Sequence, residues 1–326
     1  MKHPGWLIGT IAAIAVMGVA LAAPAFAEDY PAKPVRIIVP YPAGGSSDAL
    51  TRILVPSLGT LWSQAVIVDN RPGAASVTGT KLLAESAADG YTLGIVANGL
   101  TVNPSLHARM PFDTLRDIQP ITQLTFTPNV LVASPTADLR NLAELVQRAK
   151  AAPGKFSSGS IGNGTASHLA LECFKAVAGI DVLHAPFQGV APGVTAVLGG
   201  HTDLMMANLP DVLPYLKSGK LVALAVASAQ RQASAPEVPT FAESGFPGFV
   251  SGAWYGVAVR AGTPEAITRK LHADFVAALQ RPEIRKQLMS MGLEPVGSSL
   301  VDFDRLVRSE LKSNAELVSR AGIRLD

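Results

Sequence analysis

The stretch that most constrains this chain is Val35-Arg36-Ile37-Ile38-Val39-Pro40-Tyr41-Pro42-Ala43-Gly44-Gly45-Ser46-Ser47-Asp48. Branched aliphatics over residues 35–39 predict a buried strand. A Pro- and Gly-rich turn follows, and the hydroxyl residues with Asp48 mark a helix start. Such a unit aims free backbone N–H groups and the positive end of a helix dipole at one spot, which favours an anion. Gly44 and Gly45 let the backbone approach a bound group closely. Tyr41, Ala43, Gly44, Gly45, Ser46, Ser47 and Asp48 are therefore candidate ligand-binding residues. Asp48, itself negative, is expected to cap the helix and hold the loop.

One helix terminus contributes roughly 0.3–1 kcal/mol to an exposed anion and up to ~2 kcal/mol when partly buried. Micromolar affinity requires about 8 kcal/mol, so a second set of donors is needed. Ser157-Ser158-Gly159-Ser160-Ile161-Gly162-Asn163-Gly164-Thr165 again follows a predicted strand and precedes a helix. This loop supplies the second set of donors, and the resemblance described below implies Ser160, Gly162, Asn163, Gly164 and Thr165, with His168 in the first helical turn, as its ligand-binding positions.

Strand and helix patterns alternate along the chain. Residues 35–39, 66–68 and 93–96 read as short buried strands, separated by helices around Leu50, Ile53, Leu54, Leu58 and Leu61 and over 77–85. This β-α-β-α-β order calls for a parallel sheet. A second series begins near Asn129, with strands at 130–133, 155–159, 182–187, 204–206 and 222–226. Helices are expected at 141–151 and 166–177. A Pro/Gly-rich connector over 235–248 leads to a returning strand at 254–259, then to helices at 264–279 and 301–319. The expected fold is α/β, a two-lobed arrangement with a hinged cleft. Residues 28–127 and 252–326 would form the first lobe and 128–251 the second, with ligand held at strand carboxyl ends.

The N-terminal residues read as a secretory leader: Lys2 and His3, an uncharged apolar run from Leu7 to Ala23, and Ala25-Phe26-Ala27 as a cleavage pattern. An uncleaved membrane anchor is the alternative, because the run reaches the short end of a bilayer span. Cleavage after Ala27 leaves about 300 residues, more than one ordinary core serves. The single cysteine, Cys173, rules out a disulfide within the chain and is expected in the core. A net charge of +2 with interspersed signs argues against nucleic acid and anionic membrane as partners. Aromatics at 6% offer little for stacking on bases.

Catalytic and cofactor signatures are missing. The residues before and after Ser160 do not make Gly-x-Ser-x-Gly, since position 158 is Ser. Neither Gly loop continues into Lys-Ser/Thr, and the first lacks the three-glycine dinucleotide pattern. No His, Cys, Asp and Glu stand at metal-ligand spacing. No enzyme activity, cofactor or metal is expected.

Several motifs in one order closely resemble the substrate-binding receptors of tripartite tricarboxylate transporters, the Bug family. Besides the first Gly-Gly loop they include Asp69-Asn70-Arg71-Pro72-Gly73-Ala74, Ala88-Asp89-Gly90-Tyr91-Thr92-Leu93 and Asn103-Pro104-Ser105-Leu106. Gly162-Asn163-Gly164 with His168-Leu169, His184-Ala185-Pro186-Phe187-Gln188-Gly189, Val238-Pro239-Thr240 and Trp254-Tyr255-Gly256 continue the series. The resemblance implies a two-lobed periplasmic-binding-protein (Venus flytrap) fold without catalysis. It implies two loops that act as pincers on a ligand carboxylate, with Asn98, Thr101, Phe187 and Asn208 as selectivity positions. It also implies a monomer in the periplasm that captures a small carboxylate and meets membrane permease components. A ligand-presenting subunit for a two-component sensor is the alternative, and a secreted hydrolase a more distant one. Gln188 departs from the family's usual Lys or Arg, and Ala207 from a frequent acidic residue.

Overall fold

Strand β1 (Val35–Val39) forms from the aliphatic run, with four of its five residues buried. It pairs in parallel with β2 (Val66–Asn70) on one side and β3 (Thr92–Ala97) on the other. Helices α1 (Ser46–Trp62) and α2 (Val77–Ala84) make the crossovers expected between them. The computed structural model describes residues 30–321. The leader expected over residues 1–27 lies outside them.

Beyond β3 come two helices without counterparts in the sequence reading, α3 (Gly99–Leu106) and the single turn α4 (Thr114–Asp117). Strand β4 (Ile118–Ala133) is far longer than the four residues expected. Polar positions hide its first part from an aliphatic pattern, yet Thr122, Thr125 and Thr127 are fully buried. Their β-branched shape suits a pleated interior.

The second series then runs α5 (Leu142–Ala151), β5 (Ser157–Ser160), α6 (Ala166–Ala178), β6 (Leu183–Pro186) and α7 (Val190–Leu198). It continues through β7 (Leu204–Asn208), α8 (Leu209–Lys217) and β8 (Val222–Val226). The chain returns along β9 (Gly252–Arg260) and closes with α9 (Glu265–Gln280), α10 (Pro282–Ser290), β10 (Glu294–Pro295) and α11 (Leu300–Ala321).

Pairing follows the order β2-β1-β3-β9-β4-β7-β5-β6, with β8 and β10 also on β4. Residues 118–128 of β4 pair antiparallel with β9, whereas Asn129–Ala133 pair with β7. One strand thus serves two groups of partners. In the second group alternate residues face opposite cores. Val130 and Val132 pack with Val194, Met205 and Val212, while Leu131 and Ala133 pack with Phe174, Leu224 and Phe241. This is the two-residue period of a strand covered on both faces. The ring of Phe174 meets those of Phe241, Phe246 and Phe249 at 5.2, 5.4 and 6.0 Å.

Cys173 is half-buried beside Phe174 rather than in the core, because it falls on the helix stripe shared with exposed Ala176 and Val177, three and four residues on. Burial and the nearby Glu172 push its thiol up. No described helix is long and apolar enough to cross a membrane.

Replacing Phe174 with Ala empties the centre of this aromatic cluster. Chemical denaturation should show a loss of about 3–5 kcal/mol.

Candidate functional site

Five strand–loop–helix units deliver helix N-termini to one cavity of about 320 Å³. Gly45, Ser46 and Ser47 come from the start of α1, and Asn98 and Gly99 from α3. Thr165 and Ala166 open α6, Gly189 to Pro192 open α7, and Asn208, Pro210 and Asp211 open α8. The first turn of each helix holds N–H groups with no partner inside the helix. Each terminus adds positive potential. The convergence makes an electropositive pocket built from backbone.

Gly44 takes φ +89° in the first loop and Gly189 takes φ +108° in the loop before α7. A Cβ at Gly189 would stand 3.1 Å from Pro42 Cγ. Glycine therefore lets two loops from different strand groups approach across the cavity.

A hydrogen-bond network crosses the same space. Ser46 donates to Asp211 Oδ1 through its N–H at 3.3 Å and also through its hydroxyl. Asn208 Nδ2 donates to Asp211 Oδ2 at 3.0 Å and lies 3.2 Å from Tyr255 Oη. Burial pushes the Asp211 carboxyl up to about 6, against the pull of Ser46 and Asn208. Burial likewise raises Tyr41 to about 12 and Tyr255 above its ordinary value. Among the described residues no Lys, Arg or His lines the cavity, and Asp211 is its one acid.

Asp48 is held away from the cavity as a staple. Its carboxylate accepts from Gly44 N–H at 3.0 Å, Arg52 Nε at 3.0 Å and Asn70 Nδ2 at 3.0 Å. Asn70 Nδ2 also reaches the Tyr41 carbonyl at 3.2 Å. One buried acid thereby fixes both ends of the first loop.

Residues 50–323 match the family model described as tripartite tricarboxylate transporter family receptor. The chain belongs to this family. Its receptors are solute-binding proteins of the periplasm. Protein BugT of Bordetella pertussis is 35% identical over 319 residues, spanning 96% of this chain and 98% of that protein. The solved structure of Rpa4515 from R. palustris with adipate superposes at a TM-score of 0.87. It is 30% identical and covers 91% of this chain and 99% of its own. MatC from Rhodopseudomonas palustris with bound malate superposes at 0.83, with 27% identity, over 89% of this chain and all of its own. These neighbours establish the periplasmic-binding-protein fold.

In this receptor, Tyr41, Ala43, Gly44, Gly45, Ser46, Ser47, Asn98, Thr165 and Asn208 line the cavity together. The remaining sequence candidates lie behind it. Thr101 is buried against α11, donating to Glu310 Oε2 at 2.8 Å and accepting from Asn314 Nδ2 at 3.1 Å. Phe187 folds onto the sheet, where Gly159 and Gly193 leave room for its ring. Gly162, Asn163 and Gly164 form the turn that sets Thr165 at the cap of α6, with Thr165 Oγ1 donating to the Gly162 carbonyl at 2.7 Å.

Ser160 and His168 brace that turn. His168 Nδ1 accepts from Gly164 N–H at 3.2 Å, and Ser160 Oγ lies 2.8 Å from His184 Nε2. The two imidazoles stack at 4.3 Å and 10°. Burial, then the neighbouring ring, hold His184 at about 4, and burial also lowers His168. The Ser160–His184 pair has the reach of a nucleophile and base, but Ser160 is fully buried and off the cavity.

The fold also gathers His168, Glu172 and His184, which chain spacing does not reveal as a ligand set. Near-parallel rings aim their in-plane lone pairs along parallel planes, so both cannot point at one ion. Lys175 already pairs with Glu172 at 3.0 Å. These groups fit a packing brace rather than a metal centre.

Sequence reasoning missed Gly189 to Pro192, Asp211, Tyr215, Tyr255 and Met291 as cavity walls. Gly189 before a short helical run, and Pro210 just after Asn208, were the available signals of two more helix starts.

Burial opposes ionisation of Asp48, but Arg52, Gly44 and Asn70 outweigh it and hold its carboxyl below the ordinary 3.8. A depressed folded-state value means the stabilisation is complete above the unfolded value and fades as pH falls below about 4. Asp48→Asn should lose about 1.5–3 kcal/mol at neutral pH. Urea melts across pH should show a shallower acid decline for the variant.

Proposed function

We propose that this receptor captures a small organic carboxylate in the cavity and presents it to the membrane components of a tripartite transporter. The carrying observation is the convergence of five helix N-termini on one cavity. At roughly 0.3–2 kcal/mol each, five termini supply what one cannot. The hydroxyl of Ser47 adds a donor to the same space. Adipate and malate in the two solved relatives support a carboxylate as cargo.

The mechanism is capture by hinge closure without chemistry. The lobes are residues 28–127 with 252–326, and 128–251. β4 carries the chain from the first lobe to the second, and the chain returns where β9 begins. Closing the cleft expels water and strengthens each amide contact on the ligand. The protein acts as a monomer of the periplasm, secreted through the leader at 1–27.

Thermal-shift measurements on refolded protein, freed of co-purified ligand, should find an acid that raises the melting point by several degrees. Saturation at a hundred dissociation constants adds about 2.7 kcal/mol. Gly45→Asp tests the assignment directly. A Cβ there meets only Val190 Cγ2 at 3.4 Å and the Pro42 carbonyl oxygen at 4.0 Å, so the new carboxylate enters the cavity at little cost in packing. Binding of that acid should weaken at least a hundredfold while circular dichroism stays native. Wild-type affinity in the variant would remove the cavity from the account.

A further inference from the structure

We propose that Asp211 is a specificity-determining residue that selects an ammonium carboxylate, an amino-acid-like zwitterion with an apolar body, over di- and tricarboxylates. The inference rests on the carboxylate-receptor reading above and narrows it.

The cavity has an unusual charge inventory for an anion site. Its positive potential comes entirely from helix termini, since no basic side chain lines it among the described residues. Its one acid, Asp211, sits at the entrance to α1, where the N–H of Ser46 is already bonded to it. A ligand carboxylate must therefore share this region with an existing carboxyl group. Two like charges within about 6 Å cost on the order of a hundredfold in affinity at an effective dielectric of 20. A second or third ligand carboxylate adds to that cost and meets no cation.

A positive group on the ligand reverses the sign. An ionised carboxylate offers about four acceptor sites. Oδ1 takes two hydrogen bonds from Ser46, and Oδ2 takes one from Asn208. One site on Oδ2 is left for a donor in the cavity. An ammonium group bonded there balances Asp211, while the ligand carboxylate takes the remaining amides of α1, α6 and α7. The rest of the wall is apolar, formed by Val190, Ala191, Pro192, Val194, Pro214 and Met291. Gln188 at the rim adds no charge.

The pH dependence follows from the same groups. Besides Asp211, the titratable side chains lining the cavity are Tyr41, Tyr215 and Tyr255. Burial keeps Tyr41 at about 12 and Tyr255 above its ordinary value. His168 and His184 lie behind Thr165 and are held low by burial. Asp211, raised to about 6, is the group that gains a proton on mild acidification. Once neutral it stops attracting an ammonium and stops repelling a second carboxylate.

Isothermal titration of refolded protein with leucine, 4-methylpentanoate and adipate tests this, using wild type and Asp211→Asn. At pH about 7.5, leucine should bind wild type at least tenfold more tightly than 4-methylpentanoate, which has the same body without the ammonium. In Asp211→Asn the leucine affinity should fall at least tenfold and that of the two simple acids should rise. Lowering the pH to about 5 should weaken leucine and strengthen adipate in wild type, a reading that needs no variant. Adipate or 4-methylpentanoate binding as tightly as leucine, with neither pH nor Asp211→Asn altering the ratio, would overturn the selectivity proposal and leave the carboxylate receptor standing. Failure of all three ligands with wild type would count against both.

Discussion

The unsatisfied N–H groups at helix starts govern this molecule. Each of the five cavity-facing helices begins where a strand ends, so the fold brings their positive ends together with no basic side chain among the described residues that line the cavity. Backbone dipoles fixed by the strands cannot swing away as a lysine can, and they cost nothing to reorganise when an anion arrives. The consequence is a site whose local charge balance rests on one acid. Asp211 is the one acid among the described residues that line it.

The same constraint ties the cavity to β4, the strand that serves both groups of partners. Ser251 Oγ donates to Asn129 Oδ1 at 3.0 Å, and Asn129 Nδ2 donates to Asn208 Oδ1 at 3.1 Å. Asn208 passes the chain to Asp211, and Asp211 to Ser46 on α1. Asn129 sits where β4 changes from β9 to β7 as partner. Fully buried polar groups are retained only when satisfied. This relay is a continuous hydrogen-bonded path from the crossing point to the first turn of α1.

Much of this was legible in the sequence, and the reasons for the rest are physical. The two Gly loops were legible as glycine clusters between a strand and a helix, and their pairing, not either one alone, pointed to a site. β1, β3 and β8 formed over the expected runs because their branched residues are buried on both faces. The first part of β4 was hidden by threonines and glutamines that a hydropathy pattern reads as loop. α3 carries Gly99 and Pro104, which break a helical signal, yet its register is held by Asn103 on the Ala75 carbonyl at 2.8 Å. Asp211 was invisible as a site residue because nothing in Leu209-Pro210-Asp211 shows that Ser46, 165 positions away, will meet it. The His168–His184 stack likewise depends on α6 and β6 packing side by side.

The most direct test of the account is a crystal structure with whichever acid stabilises the protein most. The carboxyl oxygens should lie within about 3 Å of backbone N–H groups in the first turns of α1, α6 or α7, with no lysine, arginine or histidine touching them. A ligand seated outside this cavity, or held through a basic side chain, would contradict the claim that helix termini make the site.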